Sequence, residues 1–133
     1  MFTVSQIIAH LVGDYIFQSH WMATNKTSKW YAAMFHTLTY LIPFLLLQPS
    51  LLAFLVMGGS HYLIDRYRLA RYVCRWKNVL GDPTTLAWEN KAQEYNTDTG
   101  YHKDTPPWLA FWLLVITDNI IHVLINGAAL TYL

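Results

Sequence analysis

The chain has 133 residues, 54% of them hydrophobic and only 13% charged, against about 25% charged in an average soluble domain. A net charge of +1 excludes a nucleic-acid partner, which needs a concentrated basic surface. The lone Cys74 excludes an intramolecular disulfide, and the length fits one domain, residues 1–133.

Four segments meet the bilayer criterion of roughly 17–25 mostly apolar residues. The first, residues 2–19, contains "HLVGDYIFQS". His10, Asp14 and Gln18 follow one another at intervals of four, so a helix places them on one face. Residues 1–10 hold no Lys or Arg, and His10 and Asp14 interrupt the apolar run. A cleavable signal peptide is therefore not expected. The second segment, residues 30–48, carries His36 and ends at Gln48-Pro49-Ser50, with a kink expected at Pro43. The third, residues 51–68, carries His61 and Asp65, again four apart. A polar connection follows, residues 70–107, too long for a simple turn. Within it, "TTLAWENKAQEY" (84–95) has helix-forming composition after Asp-Pro and suggests an interfacial helix. Trp76, Trp88 and Trp108 suit the headgroup level. The fourth segment, residues 108–132, follows Pro106-Pro107 and carries Asp118 and His122.

All nine Lys and Arg residues lie in two stretches: Lys26 and Lys29, then Arg66 to Lys103. The positive-inside rule makes both connections cytoplasmic and puts both termini outside. The expected fold is thus all-α, a four-helix transmembrane bundle with a cytoplasmic connection. The lipid bilayer is the first expected partner. A homo-oligomer is allowed, since nothing in the sequence sets the oligomeric state.

Each segment supplies an imidazole, and three add a carboxylate one turn away. Such i, i+4 pairs on facing helices are how metal sites are built into bundle cores. Mixed nitrogen and oxygen donors suit Zn, Mn or Fe, as one or two divalent ions. Take helix ends near residues 20, 30, 68 and 108 and a rise of 1.5 Å per residue. His36, Asp14 and His61 then lie roughly 9–11 Å deep, His10 and Asp118 roughly 15 Å, Asp65 about 5 Å and His122 about 21 Å. The expected ligands are His10, Asp14, His36, His61, Asp65, Asp118 and His122. Asp65 doubles as a general base, and Gln18 orients ligand or substrate. A proton pathway or a structural polar network would use the same residues. Three buried carboxylates without a cation are costly, which ranks the metal site first. Arg66, Arg68, Arg71 and Arg75 are accounted for by anchoring; a phosphate-binding mouth is the sharper alternative.

The stretch "AHLVGDYIFQSHWMATNK" resembles the N-terminal signature of a family of short bacterial and phage membrane proteins of unknown function. The resemblance continues through His36, through His61 with Asp65, and through Asp118 with His122. It implies a membrane protein with a shared polar site. More distantly, the His/Asp-bearing helices resemble membrane-bound metal-dependent hydrolases. The expected activity is hydrolysis of a phosphate-containing or lipid-like substrate from the cytoplasmic side, with the metal activating water. Two alternatives are a metal or proton transporter and a di-metal oxidoreductase. The apolar "LIPFLLLQ" (41–48) weighs against transport, and the scarcity of carboxylates against oxygen chemistry.

Overall fold

The computed structural model describes residues 3–81 and 94–133. The helix expected at 84–95, with Trp88, lies outside the described residues except for Glu94 and Tyr95. Regular structure among the described residues is helical, apart from one isolated β-bridge between Tyr95 and His102. We number the α-helices α1 (Val4–Leu11), α2 (His20–Asn25), α3 (Trp30–Leu41), α4 (Leu51–Tyr67), α5 (Ala70–Gly81) and α6 (Pro107–Tyr132). They fall into two compact units, one of residues 1–68 and 120–133 and one of residues 69–119, with α6 contributing to both.

In the first unit, Thr3 caps α1 by accepting from the Gln6 amide. A π-turn, Val12–Ile16, then widens the helix, and the Phe17 amide reaches back to the Val12 carbonyl. The helical path therefore stops at Ile16 rather than near residue 19. Residues 4–16 give about 20 Å of helix, short of the roughly 30 Å hydrocarbon core. Ser19 caps the short α2, which opens at His20. Pro43 removes a backbone donor and α3 tightens into a 3-10 turn, Pro43–Leu47, so the expected kink is a change of helix type. Gln48 then takes a left-handed conformation, and Ser50 caps α4.

Among the described residues two helices, against the four spans expected, are long and apolar enough to cross a membrane: Trp30–Leu47 and Pro107–Tyr132. The helix α4, at 17 residues, spans about 26 Å.

The first unit buries Ala9, Tyr40, Leu41, Phe44, Ala53, Met57 and Ala129 in one cluster. Small residues set how closely its helices approach. A Cβ on Gly13 would lie 2.7 Å from both the Tyr40 ring and the Tyr40 carbonyl oxygen, and one on Gly58 would lie 2.8 Å from Leu41. The segments carrying Asp14 and His61 are thus drawn against α3. Polarity is inverted relative to a water-soluble bundle. Gln6, His10, Asp14, His36, His61, Asp65, His122 and Asn126 are buried, while Ile8, Phe35, Leu38, Leu46, Leu55 and Leu124 are exposed.

The second unit packs Cys74 of α5 with Tyr101 and with Ala110 of α6. Gly100, at φ +75°, lies so close to the α5 backbone that a Cβ would fall 2.5 Å from the Arg75 nitrogen. Asn78 donates to the Gly100 carbonyl at 2.9 Å and fixes this approach.

Gly13→Ala should destabilise the chain by about 1–3 kcal/mol, the usual cost of forcing a methyl group into a packed contact. Thermal unfolding in detergent measures it, and Gly59→Ala is the control, since a Cβ there meets nothing within 4 Å.

Candidate metal centre

The i, i+4 pairs converge because α1 with its π-turn, α3 and α4 present their polar faces to one another within the first unit. His36 Nε2 lies 3.0 Å from His61 Nε2, 3.3 Å from Asp14 Oδ1 and 2.9 Å from Asp65 Oδ2. His61 Nε2 lies 3.5 Å from Asp14 Oδ1 and 3.2 Å from Asp65 Oδ2. All four ligand atoms fall within 4.8 Å of one another, and all four residues are buried.

Protons alone serve this arrangement poorly. A neutral imidazole has one N–H, yet His36 Nε2 faces a second imidazole nitrogen and two carboxylate oxygens. Protonating both ring nitrogens adds a donor at His36 Nδ1, a buried atom with no hydrogen-bond partner, and the same holds for His61 Nδ1. One cation at the centre would satisfy all four atoms together. Donors around a tetrahedral ion with bonds of about 2.0–2.2 Å sit roughly 3.3–3.6 Å apart. The five separations above, 2.9 to 3.5 Å, approach that range. The donor set fits a borderline divalent metal.

Two histidines flank the four. His10 Nε2 lies 3.5 Å from Asp14 Oδ2, and His122 Nε2 lies 3.7 Å from Asp65 Oδ1. Each aspartate therefore turns one oxygen to the His36–His61 pair and the other to a flanking imidazole. The depth expectation needs correcting here. Counting from helix ends separates Asp65 and His122 by about 16 Å, yet they are neighbours. The count takes residues 68 and 108 to lie at one level, and the Asp65–His122 contact shows that they do not. Asp118 lies in that second unit, one turn before His122 along α6.

Gln18 lies beyond the helical path, past the π-turn, and its amide donates to the Asp14 backbone carbonyl at 3.1 Å. This bond ties Gln18 to the backbone of the turn that carries Asp14.

Sequence reasoning missed four residues of the site. Lys26, just after α2, donates to Asp65 Oδ2 at 2.8 Å and supplies a positive charge beside two buried carboxylates. Tyr40 stacks on His61, with ring centroids 3.6 Å apart and planes 9° from parallel. Its hydroxyl meets His10 Nδ1 at 3.0 Å and accepts from Asn126 Nδ2 at 2.5 Å. Gln6 donates to the Val123 carbonyl at 2.7 Å. A signal was present for three of them. Gln6 precedes His10 by four residues, Tyr40 follows His36 by four, and Asn126 follows His122 by four, so each extends a polar stripe by one turn. Lys26 carries no such periodicity.

Residues 2–97 match a protein family described as protein of unknown function (DUF3307). The matched region includes His10, Asp14, His36, His61 and Asp65 and stops short of His122. No curated protein and no solved structure matches the chain.

Tyr40→Phe keeps the ring on His61 but removes the hydroxyl shared by His10 and Asn126. Leaving buried polar groups unsatisfied costs about 1–3 kcal/mol. A lower unfolding temperature for Tyr40→Phe, with a smaller change for the exposed Tyr31→Phe, is the expected result.

Proposed function

The chain belongs to the DUF3307 family of proteins of unknown function, and from its site we propose a membrane-embedded, metal-dependent hydrolase. One observation carries the reading: two imidazole nitrogens and two carboxylate oxygens from three helical segments aim at one point in a buried interior.

The inverted polarity of the first unit supports a bilayer around it. A charged interior wrapped in exposed Leu, Ile and Phe suits hydrocarbon as solvent. The reading makes α1 with its π-turn, α3, α4 and α6 the four helices of a multi-pass bundle in a bacterial cytoplasmic membrane, with the bilayer thinned locally to match the short first span. Both termini are outside. Contacts at the basic connections agree with this topology. Lys26 pairs with Asp65, and Arg66 donates to the Thr27 and Ser28 carbonyls, so the Lys26–Lys29 connection and the basic end of α4 lie together. The positive-inside rule requires that of two cytoplasmic connections.

In this reading Asp14, His36, His61 and Asp65 hold a divalent ion, Zn, Mn or Fe. The ion supplies Lewis acidity and lowers the pKa of a coordinated water. His10 and His122 orient the two carboxylates through their outer oxygens, and Tyr40 fixes the His10 ring. Lys26, beside Asp65, is suited to bind an anionic oxygen of a phosphate-containing or lipid-like substrate arriving from the cytoplasmic side. Metal or proton transport is the second reading. Gln6, Tyr40 and Asn126 favour it, because they extend the polar interior one turn past the histidines.

Elemental analysis of the purified chain should find a divalent metal at close to one equivalent. His36→Ala, His61→Ala and Asp14→Asn should each lose most of it. Lys26→Met removes a competing cation from Asp65 and should tighten metal binding about tenfold, the scale of one charged hydrogen bond. A metal-free wild type, with variants equally stable, overturns the metal centre. Metal-dependent hydrolysis of phosphate esters or phospholipids in detergent supports the enzyme, and metal-coupled flux into proteoliposomes without hydrolysis supports the transporter.

A further inference from the structure

Among the described residues, α5 carries a buried side and an exposed apolar stripe. Ala70 and Cys74 are buried, and Asn78 holds Gly100 from the same side. Leu69, just before the helix, and Tyr72, Val73, Trp76 and Leu80 are exposed, the last two at 64% and 60%. At about 100° per residue these five fall within an arc of roughly 100°, a continuous stripe whose Tyr72 edge adjoins the buried Val79.

Basic side chains border the stripe. Arg71 and Arg75 lie along one edge and Lys77 along the other, and residues 69–81 contain no Asp or Glu. Arg71 donates to the Tyr72 hydroxyl at 2.9 Å and lies 3.9 Å from the exposed Asp98 carboxylate. Lys77 lies over the Tyr101 ring, 5.3 Å from its centroid. The helix also begins anew rather than continuing α4. Arg68 takes a left-handed conformation, with its amide 3.3 Å from the Asp65 carbonyl, and closes the preceding helix.

An apolar stripe with Trp and Tyr and cations on both edges has the composition of a helix lying in a membrane interface. Aromatic side chains prefer the headgroup boundary, where ring and polar tip are each satisfied. We infer that α5 docks on the surface of an anionic lipid bilayer, with Leu69, Tyr72, Val73, Trp76 and Leu80 in the acyl boundary and Arg75 and Lys77 at lipid phosphates. Charge complementarity selects anionic lipid over a protein groove, since the charged residues of α5 itself, Arg71, Arg75 and Lys77, are all cations. The inference rests on the proposed membrane location only in placing a bilayer beside the chain, and it is independent of the metal centre.

The test uses the full chain reconstituted in vesicles of phosphatidylcholine, with or without one-third phosphatidylglycerol. In a Cys74→Ala background, spin labels are attached at V73C, at L38C on the exposed face of α3, and at K103C as a water reference. Accessibility to oxygen and to a water-soluble nickel complex is then read at each. The expected result is a Val73 label that favours oxygen over nickel, more strongly with anionic lipid. Arg75→Gln and Lys77→Gln should each weaken the docked fraction about fivefold, at about one unit of surface attraction per basic residue. A Val73 label as open to nickel as the Lys103 label overturns the inference. So does one shielded from both reagents, which marks a protein partner, and so does indifference to anionic lipid. A nickel-accessible Leu38 label would overturn the spanning reading instead, whatever Val73 reports. The native-cysteine chain gives an independent readout. Brominated lipids should quench tryptophan fluorescence less in Trp76→Phe than in the wild type, and equal quenching counts against docking.

Discussion

The first unit is organised around the cost of burying Asp14 and Asp65. A carboxylate removed from water is tolerated only when opposite charge and hydrogen bonds surround it. His36 and His61 reach both carboxylates, His10 and His122 each reach one, and Lys26 adds a permanent charge at Asp65. Four helical segments must stay in register for these contacts to persist together. Small residues allow that register, since Gly13 seats the π-turn on Tyr40 and Gly58 lets α4 approach Leu41. Exposed apolar side chains then cover the outside, so the unit invests its polarity in its centre.

The π-turn gains meaning in this setting. It occupies residues 12–16, with Asp14 at its middle, and it ends the helix before Gln18. Wide turns of this kind recur at functional sites because they re-aim a side chain without breaking the helix. Here Asp14 still meets His10 through one oxygen and turns the other to His36 and His61 from neighbouring helices. Pro43 acts similarly on α3. The chain tightens beyond the site, leaving His36 and Tyr40 on regular helix, where their four-residue spacing keeps both rings beside His61.

The second unit follows a different design. Its helix α5 is polar overall but divides into a packed face, an exposed aromatic stripe and basic edges. Gly100 and Asn78 tie a tight loop to the packed face, and the stripe is exposed among the described residues. The buried carboxylates and imidazoles lie in one unit and the aromatic stripe in the other, so the proposed chemistry and the proposed docking draw on different residues.

Apolar length and periodicity in the sequence located α1, α3, α4 and α6 and paired their polar residues, but they missed α2 and α5, which lie in stretches read as connections. Four-residue spacing is a property of a single helix, so His10 with Asp14 and His61 with Asp65 were legible as pairs before any tertiary contact was known. The same spacing would have yielded Gln6, Tyr40 and Asn126 had the stripes been followed one turn further. Residue number alone could not decide which groups share a layer. Helix type and length vary within this chain and the helix ends do not share one level, so Asp65 and His122 meet although a count from those ends sets them far apart. Nor could it supply Lys26, whose partner lies 39 residues away and is brought near by the packing of α3 against α4. Local spacing fixed which side chains share a face; only the tertiary fold decided which faces meet, because that depends on close approach at Gly13 and Gly58 and on where each helix stops.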